Sequence, residues 1–163
     1  MPLGTPARRM PIPEDVRDFL GDLLGKPVSV TKASNKIDFS EDPETYVTGL
    51  YVDDNDRLIG ACISDIPLAA TAGAALAMMP ASVAKEAVDS GKLEEGLRDN
   101  FYEVVNILSR LLNGPSVPHL RLTELVDGVP DEVAALIEKA KGRRNYDVTV
   151  VGYTGGRMGL IGA

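Results

Sequence analysis

Apolar positions recur along this chain with two different periods. Between Pro13 and Leu24, and again between Leu93 and Asn113, they return every three or four residues, which predicts two amphipathic helices. Shorter runs alternate or are rich in β-branched residues, and these predict strands. They are KPVSVTKA, TYVTGLYV, RLIGACIS, HLRLTEL, NYDVTVVGY and RMGLIG. The segments IPLAATAGAALAMMP, SVAKEAVDSG and PDEVAALIEKAKG predict further helices, so the pattern indicates a mixed α/β fold.

Two parts of the chain resemble each other. FLGDLLGKPVSV and ILSRLLNGPSVPHLRL each combine the end of a helix, a Leu-Leu pair, a glycine, a proline and an alternating strand. A predicted hairpin closes each half. The sequence therefore predicts an α/β (α+β) domain of two pseudo-repeated helix–strand–hairpin halves, which share a sheet with long helices packed on it. The proline-rich residues 1–12 are predicted to form a flexible N-terminal arm before a single domain at 13–163.

Charge and cysteine content narrow the expected partners. The net charge of −7 argues against a nucleic acid or an anionic membrane as the main partner. Cys62 is the only cysteine, so no intrachain disulfide can form, which fits a reducing cytosol. The N-terminus lacks the apolar run of a signal peptide, and the most apolar segment is too short to span a membrane. We therefore expect a cytoplasmic protein.

The sequence offers few residues for metal binding or nucleophilic catalysis. Asp53, Asp54 and Asp56 lack the remaining ligands of a calcium loop, and we interpret them as part of a hairpin turn. His119 is interpreted as structural, because no serine or cysteine nucleophile motif accompanies it. The glycines of YTGGRMG are interpreted as a hairpin turn, and the KGRR run as a solvated helix end. We therefore expect no cofactor or metal of the protein's own.

The long helix predicted in the second half has a row of polar residues opposite its apolar stripe. At about 100° per residue, the row falls within a sector of about 60°. It comprises Asp99, Glu103, Asn106 and Arg110, with Tyr102 and Ile107 on its two sides. One interpretation is a solvated face on which Glu103 pairs with Arg110 through solvent or with a lysine elsewhere. The other is a contact surface, because apolar residues that flank an exposed polar row often mark one.

This polar row resembles the helix signature of the CheC/CheX/FliY family. These are chemotaxis phosphatases that act on phosphorylated response regulators of the CheY type. The family pattern is Asp or Ser, then Glu four residues later, Asn three later and usually Gly three later. Asp99, Glu103 and Asn106 match it, and Ser109 replaces the glycine. The order of predicted elements after Pro11 also resembles the family, and the chain length is similar to that of CheX-like members.

The resemblance implies hydrolysis of an aspartyl phosphate on a receiver domain, which brings its own Mg²⁺. In that reaction Asn106 would orient the attacking water and Glu103 would dock the receiver. A carboxamide suits the first role because it both donates and accepts hydrogen bonds. Positioning matters more than a strong base, because the transition state of phosphoryl transfer is loose. The implied partner contacts are Asp99, Tyr102, Ile107, Ser109 and Arg110.

The comparison of the two halves implies one competent site in each chain. The first helix places Asp15, Asp18 and Gly21 where the second has Glu103, Asn106 and Ser109. Asp18 carries no carboxamide, which resembles the single-site, CheX-like members. CheX is a homodimer, so a homodimer is compatible with the resemblance. A non-catalytic protein-interaction module and a dimeric scaffold of the same fold remain open alternatives.

Overall fold

The computed structural model describes residues 8–34, 38–39 and 41–163. Its helices are α1 (Pro13–Leu24), α2 (Ile66–Leu76), α3 (Ala81–Ser90), α4 (Glu95–Leu108) and α5 (Asp131–Lys139). Its strands are β1 (Val28–Ala33), β2 (Tyr46–Val52), β3 (Leu58–Asp65), β4 (Arg121–Asp127), β5 (Gly142–Val150) and β6 (Gly155–Gly162). Short 3₁₀ turns lie at Pro43–Thr45 and Ser109–Leu111. The first seven residues of the predicted arm lie outside the described part.

The six described strands form one antiparallel sheet in the order β1-β5-β6-β3-β2-β4. The hairpins β2–β3 and β5–β6 meet at its centre, where β3 pairs with β6. Each outer strand extends the hairpin of the other half, because β1 pairs with β5 and β4 pairs with β2. Exchanging the halves leaves this order unchanged. The predicted architecture of two pseudo-repeated halves that share a sheet is therefore confirmed.

Helices α1, α2 and α4 cover one face of the sheet and build the main core. Val16 and Leu20 of α1, Ala72 of α2 and Val104 of α4 share one buried cluster with residues of β2 to β6. On the opposite face, α5 contributes Val133 to a smaller cluster. Aliphatic residues fill most of this core, as expected for a chain without tryptophan. None of the helices in the described ranges combines the length and the hydropathy that a membrane-spanning segment needs.

Most predicted elements form, and two turn predictions differ in outcome. The turn after β2 is confirmed: Asp53 Oδ1 accepts hydrogen bonds from the amides of Asn55 (2.8 Å) and Arg57 (3.0 Å). The turn predicted at the glycines of YTGGRMG is wrong, because Gly155 and Gly156 already belong to β6. A Cβ at Gly156 would lie 2.7 Å from the amide nitrogen of Leu68, so the glycine allows β6 to approach the start of α2.

The KGRR run also differs from its interpretation as a solvated helix end. Helix α5 ends at Lys139, and β5 begins at Gly142, which is buried. Arg143 and Arg144 belong to this strand and are only partly exposed. Residues 8–12, the described part of the predicted arm, pack against the domain. The guanidinium of Arg8 donates hydrogen bonds to three backbone carbonyls there.

Candidate functional site

Helix α4 carries the polar row and is fixed by its buried side. Phe101, Val104, Val105 and Leu108 are 2% exposed or less, as the apolar stripe predicts. Burying such side chains stabilises a helix more than its intrinsic propensity does. The helix therefore presents its outer side from a firmly held position.

Two glycines allow α4 to approach its neighbours closely. A Cβ on Gly73 of α2 would lie 2.7 Å from the carbonyl oxygen of Leu97, near the start of α4. A Cβ on Gly49 of β2 would lie 2.6 Å from Cγ1 of Val105. Asn100 Nδ2 also donates a hydrogen bond to the Gly73 carbonyl at 3.1 Å. These contacts fix the distance of α4 from both α2 and the sheet.

An arginine joins α4 to the outer strand of the sheet. The guanidinium of Arg98 donates to Asp127 Oδ1 at 2.5 Å and to the carbonyl of Leu125 at 2.7 Å. Asp127 is largely exposed, so solvent screens this ion pair and its contribution to stability is small. The pair of bonds nevertheless restricts rotation of the helix about its own axis, because both acceptors lie on β4.

At the end of α4 the chain tightens from an α-helix into a 3₁₀ turn. The amide of Ser109 donates to the carbonyls of Asn106 and Ile107, and the hydroxyl of Tyr51 donates to the Val105 carbonyl at 2.7 Å. Tyr51 is fully buried, and burial raises its pKa well above the ordinary value, so the phenol keeps its proton. A sheet residue thus holds the backbone directly before Asn106.

The side chains of the polar row point to solvent. Asp99, Glu103, Asn106 and Arg110 are all exposed. Within the described part of the chain, these four side chains take part in no hydrogen bond or ion pair. One interpretation of the sequence expected Glu103 to pair with Arg110. The two side chains form no such pair in the structure. The row is therefore open to a partner.

The flanking residues follow the predicted arrangement with one exception. Tyr102 and Ile107 are half-buried on the two sides of the row, and Tyr102 packs partly on the main core. Ser109, predicted as a partner contact, is instead 8% exposed. Its hydroxyl donates to the Asn106 carbonyl at 2.6 Å, because the 3₁₀ turn directs it inward. Ser109 thus supports the backbone of Asn106 from within the chain.

The corresponding side of α1 is arranged differently. Asp15 Oδ2 accepts a hydrogen bond from the Ile12 amide at 3.3 Å, which caps the start of the helix. Asp18 pairs with Arg17 at 3.0 Å. Gly21 completes the predicted set, and no residue of the three has a carboxamide. Of these two helices, only α4 presents a carboxylate and a carboxamide one turn apart.

The chemistry available at α4 is that of positioning. A carboxylate can accept a charge-assisted hydrogen bond, and a carboxamide can orient a water. The described residues contain no group of three or more His, Cys, Asp or Glu that could hold a metal ion. The single cysteine, Cys62, is buried, and burial raises its pKa to about 12, so its thiol is unsuited to nucleophilic attack.

Tyr51, Gly49 and Gly73 support the site, and the sequence interpretation did not single them out. TYVTGLYV places Gly49 and Tyr51 two residues apart, and therefore on one face of the strand. That spacing indicates a shared face but not which helix covers it. Gly73 lies among the small residues of α2. These residues predict close packing, but they do not indicate that α4 is the helix that packs against Gly73.

No protein-family model matches the sequence, and the comparison with curated proteins finds no match. Solved structures do match. A chain of the FliG–FliM complex from H. pylori is similar at a TM-score of 0.55 and 10% identity, over 92% of this chain and 85% of that one. A chain of the FliM–SpeE complex from H. pylori is similar at 0.50 and 8%, over 92% and 80%. FliY from Thermotoga maritima is a looser match, at 0.45 and 12%, over 90% and 82%.

Identities this low show the fold alone. The chain has the fold of the matched chains of the two FliM complexes, which is the CheC-like fold that the sequence resemblance implied. The likeness does not distinguish the CheX-like type from the other members of this fold.

Proposed function

We propose that this protein binds the phosphorylated receiver domain of a CheY-type response regulator through α4 and hydrolyses its aspartyl phosphate. The observation that carries the proposal is the open pair of Glu103 and Asn106, one turn apart on a helix whose opposite side is buried. The match of this pair to the family signature and the CheC-like fold support the same function.

In the proposed complex Glu103 sets the docking position. Its carboxylate would accept a charge-assisted hydrogen bond from a lysine in the receiver pocket, and such bonds strengthen as water leaves the interface. Asp99 lies one turn before it and adds a second acidic contact. Tyr102 and Ile107 would pack against the receiver at the edges of the row, and Arg110 would contact it beyond the helix end.

Asn106 would hold the attacking water in line with the phosphorus. The water oxygen forms the new bond to phosphorus, and the bond from phosphorus to the aspartyl oxygen breaks. The receiver recovers its carboxylate, and both protons of the water leave with inorganic phosphate as H₂PO₄⁻, which can release one of them to solvent. The receiver supplies Mg²⁺, which neutralises charge on the phosphoryl group. The support of Val105 by Tyr51 and of Asn106 by Ser109 limits the movement of the water-holding residue.

The test follows phosphate loss from several phosphorylated CheY-type receivers, with and without the protein. We expect the wild type to speed the loss, and Asn106→Ala to reduce the acceleration about a hundredfold, a typical cost for one positioned polar group. Asn55→Ala is the matched control, because it removes an exposed carboxamide from the β2–β3 turn. No acceleration with any receiver argues against the phosphatase, and equal rates for wild type and Asn106→Ala argue against Asn106.

A non-catalytic interaction module is the second candidate. It is favoured by the two solved complexes, in which FliM assembles with FliG and with SpeE. Such a module would use the same open face of α4, either as a single chain or as a homodimer that acts as a scaffold. Receiver binding that leaves the rate of phosphate loss unchanged would support this candidate.

A further inference from the structure

A second polar feature lies where the N-terminal arm crosses the ends of β1 and β5. It is separate from the outer side of α4. A groove of about 450 Å³ opens there. We call it the basic groove, and its cationic lining residues are Arg8, Arg9, Lys32, Lys141, Arg143 and Arg144. None of the described residues that line it is acidic. Six of the chain's 17 Lys and Arg residues thus meet in one place, although the net charge is −7.

The groove is built by the fold, because its residues come from three separate segments. The β5–β6 register pairs Gly142 with Gly162 below the arm. A Cβ on Gly142 would lie 2.9 Å from Sδ of Met10, and one on Gly162 would lie 2.7 Å from Cδ of Arg8. The two glycines therefore leave the space that the arm fills, and they fix Arg8 and Met10 at the base of the groove.

The guanidinium of Arg8 places a positive charge at the base of the groove. It is 3% exposed and donates to the carbonyls of Leu112 (2.5 Å), Pro118 (2.7 Å) and Ala163 (3.2 Å). The carbonyls of Leu112 and Pro118 are neutral, so they satisfy hydrogen bonds of the guanidinium without cancelling its charge. Burial lowers the pKa of Arg8, which reflects the cost of a buried cation. An anion in the groove would offset that cost.

Four further cations remain available to a ligand. Arg9, Lys32 and Lys141 are exposed and Arg144 is partly exposed, and within the described part of the chain none of the four forms an ion pair. Arg143 is engaged differently, because it lies over the ring of Phe39 and interacts with Asp38. A cleft lined by one sign of charge concentrates the field and attracts the opposite charge.

We infer that the basic groove binds a small molecule with two or more phosphate groups, of the size of a nucleoside diphosphate or triphosphate. Its volume lies in the range of small-molecule sites. A di- or triphosphate concentrates several negative charges within that volume, which matches four open cations. The guanidinium groups of Arg9 and Arg144 can bind phosphate oxygens through two parallel hydrogen bonds. This inference is independent of the phosphatase proposal, because it uses no residue of α4.

Calorimetric titration with pyrophosphate, ADP and ATP at low salt tests the inference. We expect saturable binding of one ligand per chain that weakens as salt is added. The double variant Lys32→Gln/Lys141→Gln should weaken binding about tenfold or more, because charge-assisted contacts are lost. The matched control, Lys85→Gln/Lys92→Gln, makes the same change of charge at two exposed positions outside the groove and should bind as the wild type does. Both variants should keep the wild-type melting temperature, because all four lysines are exposed.

Three outcomes would overturn the inference. The first is the absence of saturable binding for all three probes. The second is an equal loss in both double variants, which would indicate attraction by overall charge. The third is binding of a hexaglutamate peptide, an oligonucleotide or anionic vesicles at least as tightly as ADP, since the groove would then not select a compact phosphate.

Discussion

Helices α1 and α4 lie over opposite ends of the same face of the sheet. They differ in whether the polar side chains on their outer sides bond to other residues of the chain. On α1, Asp15 caps the helix and Asp18 pairs with Arg17. On α4, Glu103 and Asn106 make no such bond within the described part of the chain. A polar row that its own fold already uses adds to stability, whereas an open row on a fixed helix is available to a partner.

Charge reversal of one exposed acidic residue on each helix should separate the two helices most strongly. Glu103→Lys places a cation against the proposed lysine of the receiver pocket, and such like-charge contact costs several kcal/mol. We expect receiver binding to weaken about a hundredfold, which corresponds to about 3 kcal/mol. Asp18→Lys on α1 should leave the dissociation constant unchanged. Fluorescence anisotropy with a labelled receiver measures both, and equal weakening would mean that α1 also contacts the receiver.

The tyrosines below the two helices give a second comparison. Tyr51 donates to the Val105 carbonyl in α4, and Tyr146 donates to the Pro11 carbonyl before α1 at 2.6 Å. Tyr51→Phe and Tyr146→Phe each leave a buried carbonyl unsatisfied, so we expect each to lower the free energy of unfolding by about 1–3 kcal/mol. Urea titration measures this loss.

Of these two variants, only Tyr51→Phe should also slow phosphate release, because Tyr51, unlike Tyr146, supports the backbone beside Asn106. An equal fall in rate for Tyr146→Phe, at protein concentrations corrected for folded fraction, would contradict a specific role for the support of α4.

Removing one acidic side chain from each helix should affect different properties: stability in the case of α1 and receiver binding in the case of α4. Asp15→Ala removes a cap and an acid from the first turn of α1, and we expect a loss of about 0.5–1 kcal/mol in stability without a change in receiver binding. Asp99→Ala should leave stability within about 0.5 kcal/mol and weaken receiver binding. Thermal unfolding and anisotropy distinguish the two variants, and a stability loss at Asp99 would reveal a structural role for that residue.

The smallest expected effect is that of Asp18→Asn, which gives α1 the missing carboxamide. We expect no added phosphatase activity, because Asp15, which takes the place of Glu103, is shorter and already caps the helix. Stability should change by less than about 0.5 kcal/mol. A faster phosphate release than that of the wild type would show that α1 needs only this residue to form a second site.

Local patterns were sufficient to predict much of this fold. Apolar spacing and the residues at the helix ends placed α1 at Pro13–Leu24 with its observed bounds, and the echo between the halves predicted that they share a sheet. The same spacing placed the outward side of α4 correctly. Periodicity succeeds at these points because one buried face decides both the position and the orientation of the helix.

Contacts between distant segments account for what the sequence did not predict. The α-helical part of the long helix ends at Leu108, before the predicted Asn113, and the inward turn of Ser109 accompanies that change. The hydroxyl of Tyr51, from a strand far earlier in the chain, supports the backbone there. The sequence did not predict the basic groove either. The KGRR run alone has the pattern of a helix end, and the groove forms only where this run meets the N-terminal arm and β1 in the folded chain.

The exchange of outer strands between the halves has a consequence for how the chain folds. Val28 lies opposite Val150, so β1 has no partner strand until β5, far later in the chain, has been synthesised. The hairpins β2–β3 and β5–β6 can form early from local contacts, but neither half can complete its three strands alone. Late closure of such distant pairs slows folding. Until β5 has been synthesised, β1 is therefore an unpaired strand that is exposed to wrong partners.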